Sequence, residues 1–160
     1  MKIFYTLFAM AVLFLVGGVW WSNSSIARDP SVVSKDGIHW HPTLSIVIKG
    51  ELQEIPANIG LVGGHSAIHT HDDVADQRET GSVHIDEKPL HLEFASIVKA
   101  NDVRLGEFFK VWRKTFSSEC ILDYCNSDDG SLSMLVNGEV NTEFENYVMK
   151  DGDKIEIRYE

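Results

Sequence analysis

Several stretches of the chain alternate between apolar and polar residues, which is the pattern of a β-strand buried on one face. The alternation runs through residues 43–49 (TLSIVIK) and again through residues 154–159 (KIEIRY). Gly50 predicts a turn after the first stretch, and residues 51–56 can return as its hairpin partner. Residues 131–136 predict another strand before an Asn-Gly turn. We expect these segments to form the sheet of the domain.

A different spacing, with apolar side chains three and four residues apart, predicts the main helix over residues 104–116 (RLGEFFKVWRKTF). Asp102 is positioned to cap its N-terminus. Shorter alternations at residues 82–86 and 90–94 predict two further strands, and the glycine-containing residues 57–81 predict a long loop. This order of elements indicates an α+β fold, in which a mixed β-sheet is crossed by one main helix.

The N-terminal segment follows neither pattern, because residues 3–21 contain no charged side chain. As a helix they would rise about 28 Å, close to the thickness of the hydrocarbon core of a membrane. The segment is interpreted as a transmembrane helix acting as a signal-anchor or as a cleaved signal peptide, and its length favours the anchor. Lys2 is expected to stay in the cytoplasm, which puts the rest of the chain outside.

The chain is thereby divided into three parts. Residues 1–22 are the transmembrane anchor or signal segment, residues 23–36 are a polar tether, and residues 37–160 are an extracytoplasmic α+β domain. The expected location is the cell membrane with the domain outside the cytoplasm, or secretion if the N-terminal helix is cleaved.

Length and charge restrict the possible partners. A chain of 160 residues supports one compact domain, and its net charge of −10 argues against nucleic acid, whose binding depends on lysine and arginine. The only cysteines are Cys120 and Cys125, and outside the cytosol they are expected to form a disulfide or to be two buried thiols. Their spacing differs from the Cys-x-x-Cys of redox-active sites.

Histidine is the unusual component, because all seven histidines lie between His39 and His91. Four of them form two His-x-His pairs, His39 with His41 and His69 with His71. In extended backbone, residues i and i+2 project from the same face, so each pair can offer two imidazoles to one ion. If the strand at 43–49 extends back through Pro42, the first pair points away from the apolar face of that strand.

The pairs predict a site for a divalent transition metal, copper or zinc, which imidazole binds well. His84 is a further candidate ligand, and the neighbouring Asp72 can ligate directly or orient an imidazole. His65 and His91 are assigned to the surface or to loops without a ligand role. The expected metal ligands are therefore His39, His41, His69, His71 and His84.

The leading interpretation is a non-enzymatic protein that captures the metal, delivers it to a partner or uses it as a structural site, and two other classes of function stay open beside it. A metal-dependent enzyme, hydrolytic or cupin-like, would need three ligands and an open water position. Gly63 and the His69–His71 pair fit the opening of a cupin motif, but the first glutamate that follows, Glu79, comes too late, and the second motif is missing. The other alternative is an anchored module that binds another protein.

The C-terminal sequence VNGEVNTEFENYVMKDGDKIEIRYE resembles the end of a β-grasp (ubiquitin-like) domain. The resemblance covers about the last third of the chain and implies a β-grasp-like fold. Carrier members of that superfold end in Gly-Gly, whereas this chain ends in Tyr159-Glu160, so carrier chemistry is not supported.

The motifs HWHPTLSIVIKG, IHTHD, GSVHIDE and LGEFFKVW together resemble an uncharacterised family of small, exported or membrane-anchored, histidine-rich proteins of archaea and bacteria, ammonia-oxidising archaea among them. The resemblance spans residues 37–160 and implies that the five candidate histidines and Asp72 form one unit. It does not identify the metal, and copper is suggested only by the metabolism of such organisms. The expected partners are a metal ion and a membrane-bound or extracytoplasmic protein.

Overall fold

The structure is a computed structural model, and it describes the backbone of residues 2–72 and 87–160 and the side chains of residues 4–22, 29–72 and 87–160. It is a mixed α+β protein, which confirms the predicted fold class at that level. In chain order the strands are β1 Val32–Ser34, β2 Ile38–Trp40, β3 Thr43–Ile48, β4 Glu51–Leu52, β5 Ile68–His69, β6 Lys88–Pro89, β7 His91–Phe94, β8 Val98–Lys99, β9 Cys120–Ile121, β10 Tyr124–Cys125, β11 Leu132–Val136, β12 Glu139–Val140 and β13 Lys154–Tyr159.

The N-terminal helix α1 spans Lys2–Arg28. Its apolar part, Phe4–Ser22, has a mean hydropathy of 1.8, and none of this stretch is buried against the rest of the chain. A helix of this length and composition can cross a membrane, and a signal sequence has the same character. The helix is therefore a candidate anchor or signal segment.

The larger sheet has the strand order β12-β11-β13-β3-β4, and β6 also pairs with β3. Its two central strands, β3 and β13, are parallel, with Leu44 opposite Ile155 and Ile46 opposite Ile157. The other pairs along this order are antiparallel, including the β3–β4 hairpin. All four of these apolar side chains are buried, because alternate residues of both strands face the core.

Helix α2 spans Leu105–Trp112 and contributes its buried side chains to the same core. It is shorter than the predicted segment 104–116, because Arg113 takes the left-handed conformation that ends a helix. Its predicted cap is wrong. Asp102 lies in the preceding 3₁₀ turn, Ala100–Val103, where its Oδ2 accepts a hydrogen bond from the Lys99 backbone N–H at 2.8 Å.

A smaller, three-stranded antiparallel sheet has the order β2-β7-β5. The predicted extension of the strand at 43–49 back through Pro42 is wrong, because β2 and β3 are separate strands in different sheets. Pro42 has no N–H to continue a ladder, and its carbonyl accepts a hydrogen bond from Leu90 N–H at 2.8 Å. The break at this proline lets β2 leave the larger sheet and pair with β7.

The described residues also form two small antiparallel strand pairs. Strand β1 pairs with β8, so residues 32–34, which fall within the predicted tether, take part in a strand. Strands β9 and β10 form a hairpin in which Cys120 and Cys125 are joined by a disulfide. The strand predicted at residues 82–86, and the loop residues from 73 onward, lie outside the described residues.

Candidate metal centre

The three-stranded sheet has one apolar and one histidine-bearing face, since consecutive side chains of a strand point to opposite sides. Its apolar side chains belong to the core or pack against it, and they are Ile38, Trp40, Ile68, Leu92 and Phe94. The opposite set alternates with them and follows the strand register: His39 lies opposite Glu93, and His69 lies opposite His91. We call this side, with His41, His65 and His71 beside it, the histidine face.

Backbone hydrogen bonds hold the second His-x-His pair in place. Thr70, between the two histidines, is fully buried, and its hydroxyl donates to the Pro56 carbonyl at 2.9 Å. The same hydroxyl accepts from Ile59 N–H at 3.1 Å, and the Thr70 backbone bonds with Asn58 and Ile59. Thr70 thereby fixes the chain on both sides of its position, which limits the directions that His69 and His71 can take.

Two glycines let the neighbouring backbone approach the small sheet closely. A Cβ on Gly37, just before β2, would lie 2.2 Å from the Phe94 carbonyl oxygen, and one on Gly60 would lie 2.6 Å from that of Ile68. Both residues also have positive φ, which L-residues with side chains rarely adopt. The histidine-bearing strands are therefore held by turns that only glycine can occupy without strain.

The first His-x-His pair is positioned from two sides. His39 Nε2 lies 3.4 Å from Glu93 Oε1 across the β2–β7 pair. His41, just beyond the end of β2, donates its backbone N–H to Asp151 Oδ1 at 2.8 Å. That bond ties the residue to the turn before β13, so the larger sheet helps to place an imidazole of the smaller one.

The described histidines touch one another in a continuous row. Ring centroids are separated by 4.7 Å between His39 and His41, by 4.8 Å between His41 and His91, and by 4.2 Å between His91 and His71. The row continues from His71 to His69 at 4.8 Å and from His69 to His65 at 4.4 Å. His91 and His69 have no exposed surface, and each lies against the rings of other histidines.

Within the described residues, three overlapping groups bring their ligand atoms within 4.8 Å of one another, as required for binding one ion. The first outer set is His39, His41 and His91. The central set is His69, His71 and His91. The second outer set is His65, His69 and Glu93. Each set offers three protein ligands, the number that leaves a position open in a tetrahedral zinc site.

Hydrogen bonds orient two ligand nitrogens of the central set, those of His69 and His71, before any metal binds. His69 Nδ1 donates to the Ser66 carbonyl at 3.0 Å, and a carbonyl only accepts, so the proton of neutral His69 is on Nδ1. The Nε2 lone pair of His69 then accepts a hydrogen bond from His71 Nε2–H, 3.0 Å away. Two nitrogens on one tetrahedral zinc ion are about 3.3 Å apart, so the two nitrogens need to move little when an ion displaces that proton.

Burial keeps His69 in the neutral form that binds metals. Loss of hydration lowers the pKa of His69 below its ordinary value, because the imidazolium is the form that loses its water. The Ser66 carbonyl and the Glu93 carboxylate oppose the shift, while His65 and His71 add to it. A proton therefore competes less with a metal ion at this nitrogen than at an exposed histidine.

The structure brings four of the five expected ligands into the row: His39, His41, His69 and His71. The two His-x-His pairs do not share one set, because each pair is completed by His91. His84 lies outside the described residues, as does Glu79. Asp72 is exposed and belongs to none of the three sets formed by the described residues.

Three residues of the sets were not among the expected ligands: His65, His91 and Glu93. For two of them the sequence contained a signal. His91 and Glu93 alternate with Leu90, Leu92 and Phe94, which put them on the polar side of a predicted strand. The sequence could not show the strand pairing that places β7 between β2 and β5. His65 lies before β5 and carried no such signal.

Comparison with known proteins assigns no family to this chain. No protein-family model, no curated protein and no solved structure matches the chain. The resemblance to a family of exported, histidine-rich proteins therefore stays a prediction. The evidence for a function is the set of histidine clusters, which can hold a metal ion.

Proposed function

We propose that this protein is a membrane-tethered, extracytoplasmic metal-binding protein that captures or delivers copper or zinc through its histidine face. The observation that carries the proposal is the row of six touching imidazoles with three overlapping ligand sets. Buried polar rings are costly unless they have partners or a function, and here they are gathered rather than dispersed.

The charge and location of the domain support the same function. A net charge of −10 attracts cations to its surface and repels nucleic acid. The apolar helix α1 supports an anchor, and the Cys120–Cys125 disulfide is the form that cysteines take in an oxidising compartment. Outside the cytoplasm, an anchored domain could exchange ions with another membrane-bound or extracytoplasmic protein.

We further propose that a β-grasp fold supports the site. In that fold the first and last strands lie side by side and parallel, and a helix separates the first hairpin from the remaining strands. The order β12-β11-β13-β3-β4 and the parallel β3–β13 pair agree with this arrangement, and α2 lies between β4 and β11 in the chain. The β2-β7-β5 sheet is then an addition that carries the metal ligands.

The donor atoms limit the metal to a short series. Eight of the nine ligand positions in the three sets are imidazoles, and one is the Glu93 carboxylate. Imidazole suits zinc and copper, whereas magnesium and calcium prefer oxygen. Elemental analysis of untagged full-length protein isolated from membranes would decide between copper and zinc.

The test of binding replaces both histidines of the second pair. In the full chain in detergent micelles, His69→Ala with His71→Ala is expected to lower the number of Zn²⁺ or Cu²⁺ ions bound, because the central and second outer sets lose ligands and only the first outer set keeps all three. The matched control replaces the exposed acids Asp128 and Asp129 with alanine, which leaves the histidine face intact. Unchanged metal content in the double histidine variant would contradict the proposal.

Location is tested separately. Protease added to intact spheroplasts is expected to degrade the domain while α1 stays with the membrane fraction. Protection of the domain until the membrane is opened would contradict the extracytoplasmic assignment, and recovery of the domain in the medium would indicate cleavage of the N-terminal helix.

A further inference from the structure

We propose that the histidine face is a transfer track: a metal ion binds at either exposed end of the row and moves by ligand exchange to a buried central position. The inference rests on the proposed function, because it assumes that the histidine face binds ions. It adds the route by which an ion is loaded and released.

The order of the three sets defines the route. His91 belongs to both the first outer set and the central set, and His69 belongs to both the central set and the second outer set. An ion in either outer set is therefore already bound to one ligand of the central set. It can move inward while that shared imidazole stays bound, so the ion is never released into solvent between positions.

Exposure decreases from the ends of the row to its centre. The His39 side chain is 58 % exposed and His65 is also exposed, whereas His69 and His91 have no exposed surface. Each outer set thus combines a solvent-accessible ligand with a fully buried, shared one. An ion can exchange with water or a partner protein at the ends, where incoming ligands have access.

The central set is the position that retains an ion. His69 is held in its metal-binding tautomer by Ser66, and its Nε2 already faces that of His71. Ligands that are oriented in advance lose less freedom on binding, which favours affinity. An ion at either end is therefore expected to move toward the centre.

Each inward step is a simple ligand exchange. One metal–nitrogen bond, or the bond to the Glu93 carboxylate in the second outer set, breaks as a bond to a central imidazole forms. The shared imidazole keeps its bond, and the oxidation state of the ion does not change. No oxidant, reductant or further reactant is required.

Overlap also sets the capacity of the row. The two outer sets share no residue, so each can bind an ion at the same time. The two ions then occupy His91 and His69, and His71 is the one ligand of the central set that is left. One ion at low metal therefore occupies the centre, and two ions at saturation occupy the ends. An ion arriving at one end withdraws a shared imidazole from the centre and so promotes release at the other end.

The test uses Zn²⁺ alone with the full chain in detergent micelles. Equilibrium titration gives the affinity and the number of ions bound, and stopped-flow mixing with a chromogenic chelator gives the rates of loading and release. The variant His39→Gln with His65→Gln removes the two exposed imidazoles, and both positions tolerate a change of side chain because they are on the surface.

We expect this variant to load and release its first Zn²⁺ about tenfold more slowly, because the accessible routes to the centre are lost. Its capacity at saturation should fall from two ions to one. Each single variant keeps one open end and should give intermediate rates. Asp128→Asn with Asp129→Asn is the control and should exchange Zn²⁺ at the rate of the unmodified chain.

Three results would overturn the track in different ways. Exchange rates equal to those of the unmodified chain would show that the exposed histidines are not on the route. A large loss of affinity for the first ion would place the retained ion at an end of the row. A capacity of one ion in the unmodified chain would exclude filling of both ends. Absence of any Zn²⁺ or Cu²⁺ binding by the unmodified chain would instead refute the proposed function itself.

Discussion

The two main sheets of this protein differ in what they bury. In the larger sheet, β3 and β13 bury rows of leucine and isoleucine, and its stability comes from removing apolar surface from water. In the three-stranded sheet, one face joins the same core, while the other buries His69 and His91 among further imidazoles. Burying polar rings contributes less to stability than burying isoleucine, and the histidines gathered on the second sheet could hold a metal ion.

The difference leads to opposite expectations for substitutions in the two sheets. Changes in the larger sheet should alter the free energy of unfolding and leave the number of bound ions unchanged in the folded protein. Changes in the histidine face should alter metal binding and cost little stability. The predictions below run from the largest expected effect on the free energy of unfolding of the metal-free chain to the smallest.

The largest effect is expected for Ile157→Ala in β13. Ile157 has no exposed surface and lies opposite Ile46 in the parallel pair at the centre of the larger sheet. The cavity should lower the free energy of unfolding by about 2–5 kcal/mol, measured by denaturant titration of the full chain in micelles. The number of Zn²⁺ ions bound should stay unchanged, and a smaller number in the folded variant would show that the larger sheet also contributes to metal binding.

A smaller loss is expected for Tyr147→Phe. The Tyr147 hydroxyl donates to Oδ2 of the buried Asp153 at 2.7 Å, and burial together with this carboxylate raises the pKa of Tyr147. Loss of a hydrogen bond to a buried carboxylate should cost about 1.5–3 kcal/mol by denaturant titration. Tyr124→Phe, at an exposed position, is the matched control and should have little effect.

His91→Leu should separate function from stability most sharply. Leucine is similar in size to histidine, so the free energy of unfolding of the metal-free chain should change by less than about 1.5 kcal/mol. The first outer set and the central set both lose a ligand, so Zn²⁺ affinity should fall at least about tenfold by equilibrium titration. Strong destabilisation with unchanged Zn²⁺ affinity would show that His91 contributes to stability and not to metal binding.

The smallest effect is a dependence of stability on pH through His69. Burial lowers the pKa of this imidazole, and the neighbouring His65 and His71 add to the shift while Glu93 opposes it. The unfolded chain therefore binds a proton at His69 more readily than the folded chain does. The contribution of His69 is therefore complete above its unfolded pKa of about 6.5 and decreases as the pH falls below that value.

Denaturant titration with a chelator present, at pH values above and below about 6.5, measures this contribution. The unmodified chain should lose more stability on acidification than His69→Gln, which lacks the titrating group. An equal loss in the two chains would show that the burial of His69 has no effect on stability through protonation.

Local pattern in the sequence was sufficient for much of the scaffold. The alternation in residues 43–49, 131–136 and 154–159 predicted β3, β11 and β13, and the spacing in 104–116 predicted α2. Each of these depends on residues close in sequence, which is why they could be predicted. The cap at Asp102 and the continuity through Pro42 failed, because both depended on which neighbouring segment supplies the hydrogen bonds.

The candidate site shows the same division. The His-x-His spacing already placed His39 with His41 and His69 with His71 on shared faces, since that follows from the two-residue period of a strand. The spacing could not show that His91 stands between the two pairs and completes both, because strand pairing joins segments far apart in the chain.

The amino-acid sequence was enough to predict the apolar N-terminal segment, the main strands and helix of the scaffold, and the two histidine pairs, because composition and periodicity act over a few residues. The position of β7 between β2 and β5 became apparent only from the folded domain. That order brought His91, Glu93 and the loop residue His65 into the three ligand sets. The physical reason is that register and strand order are set by hydrogen bonding and core packing across the whole domain, which no short stretch of sequence contains.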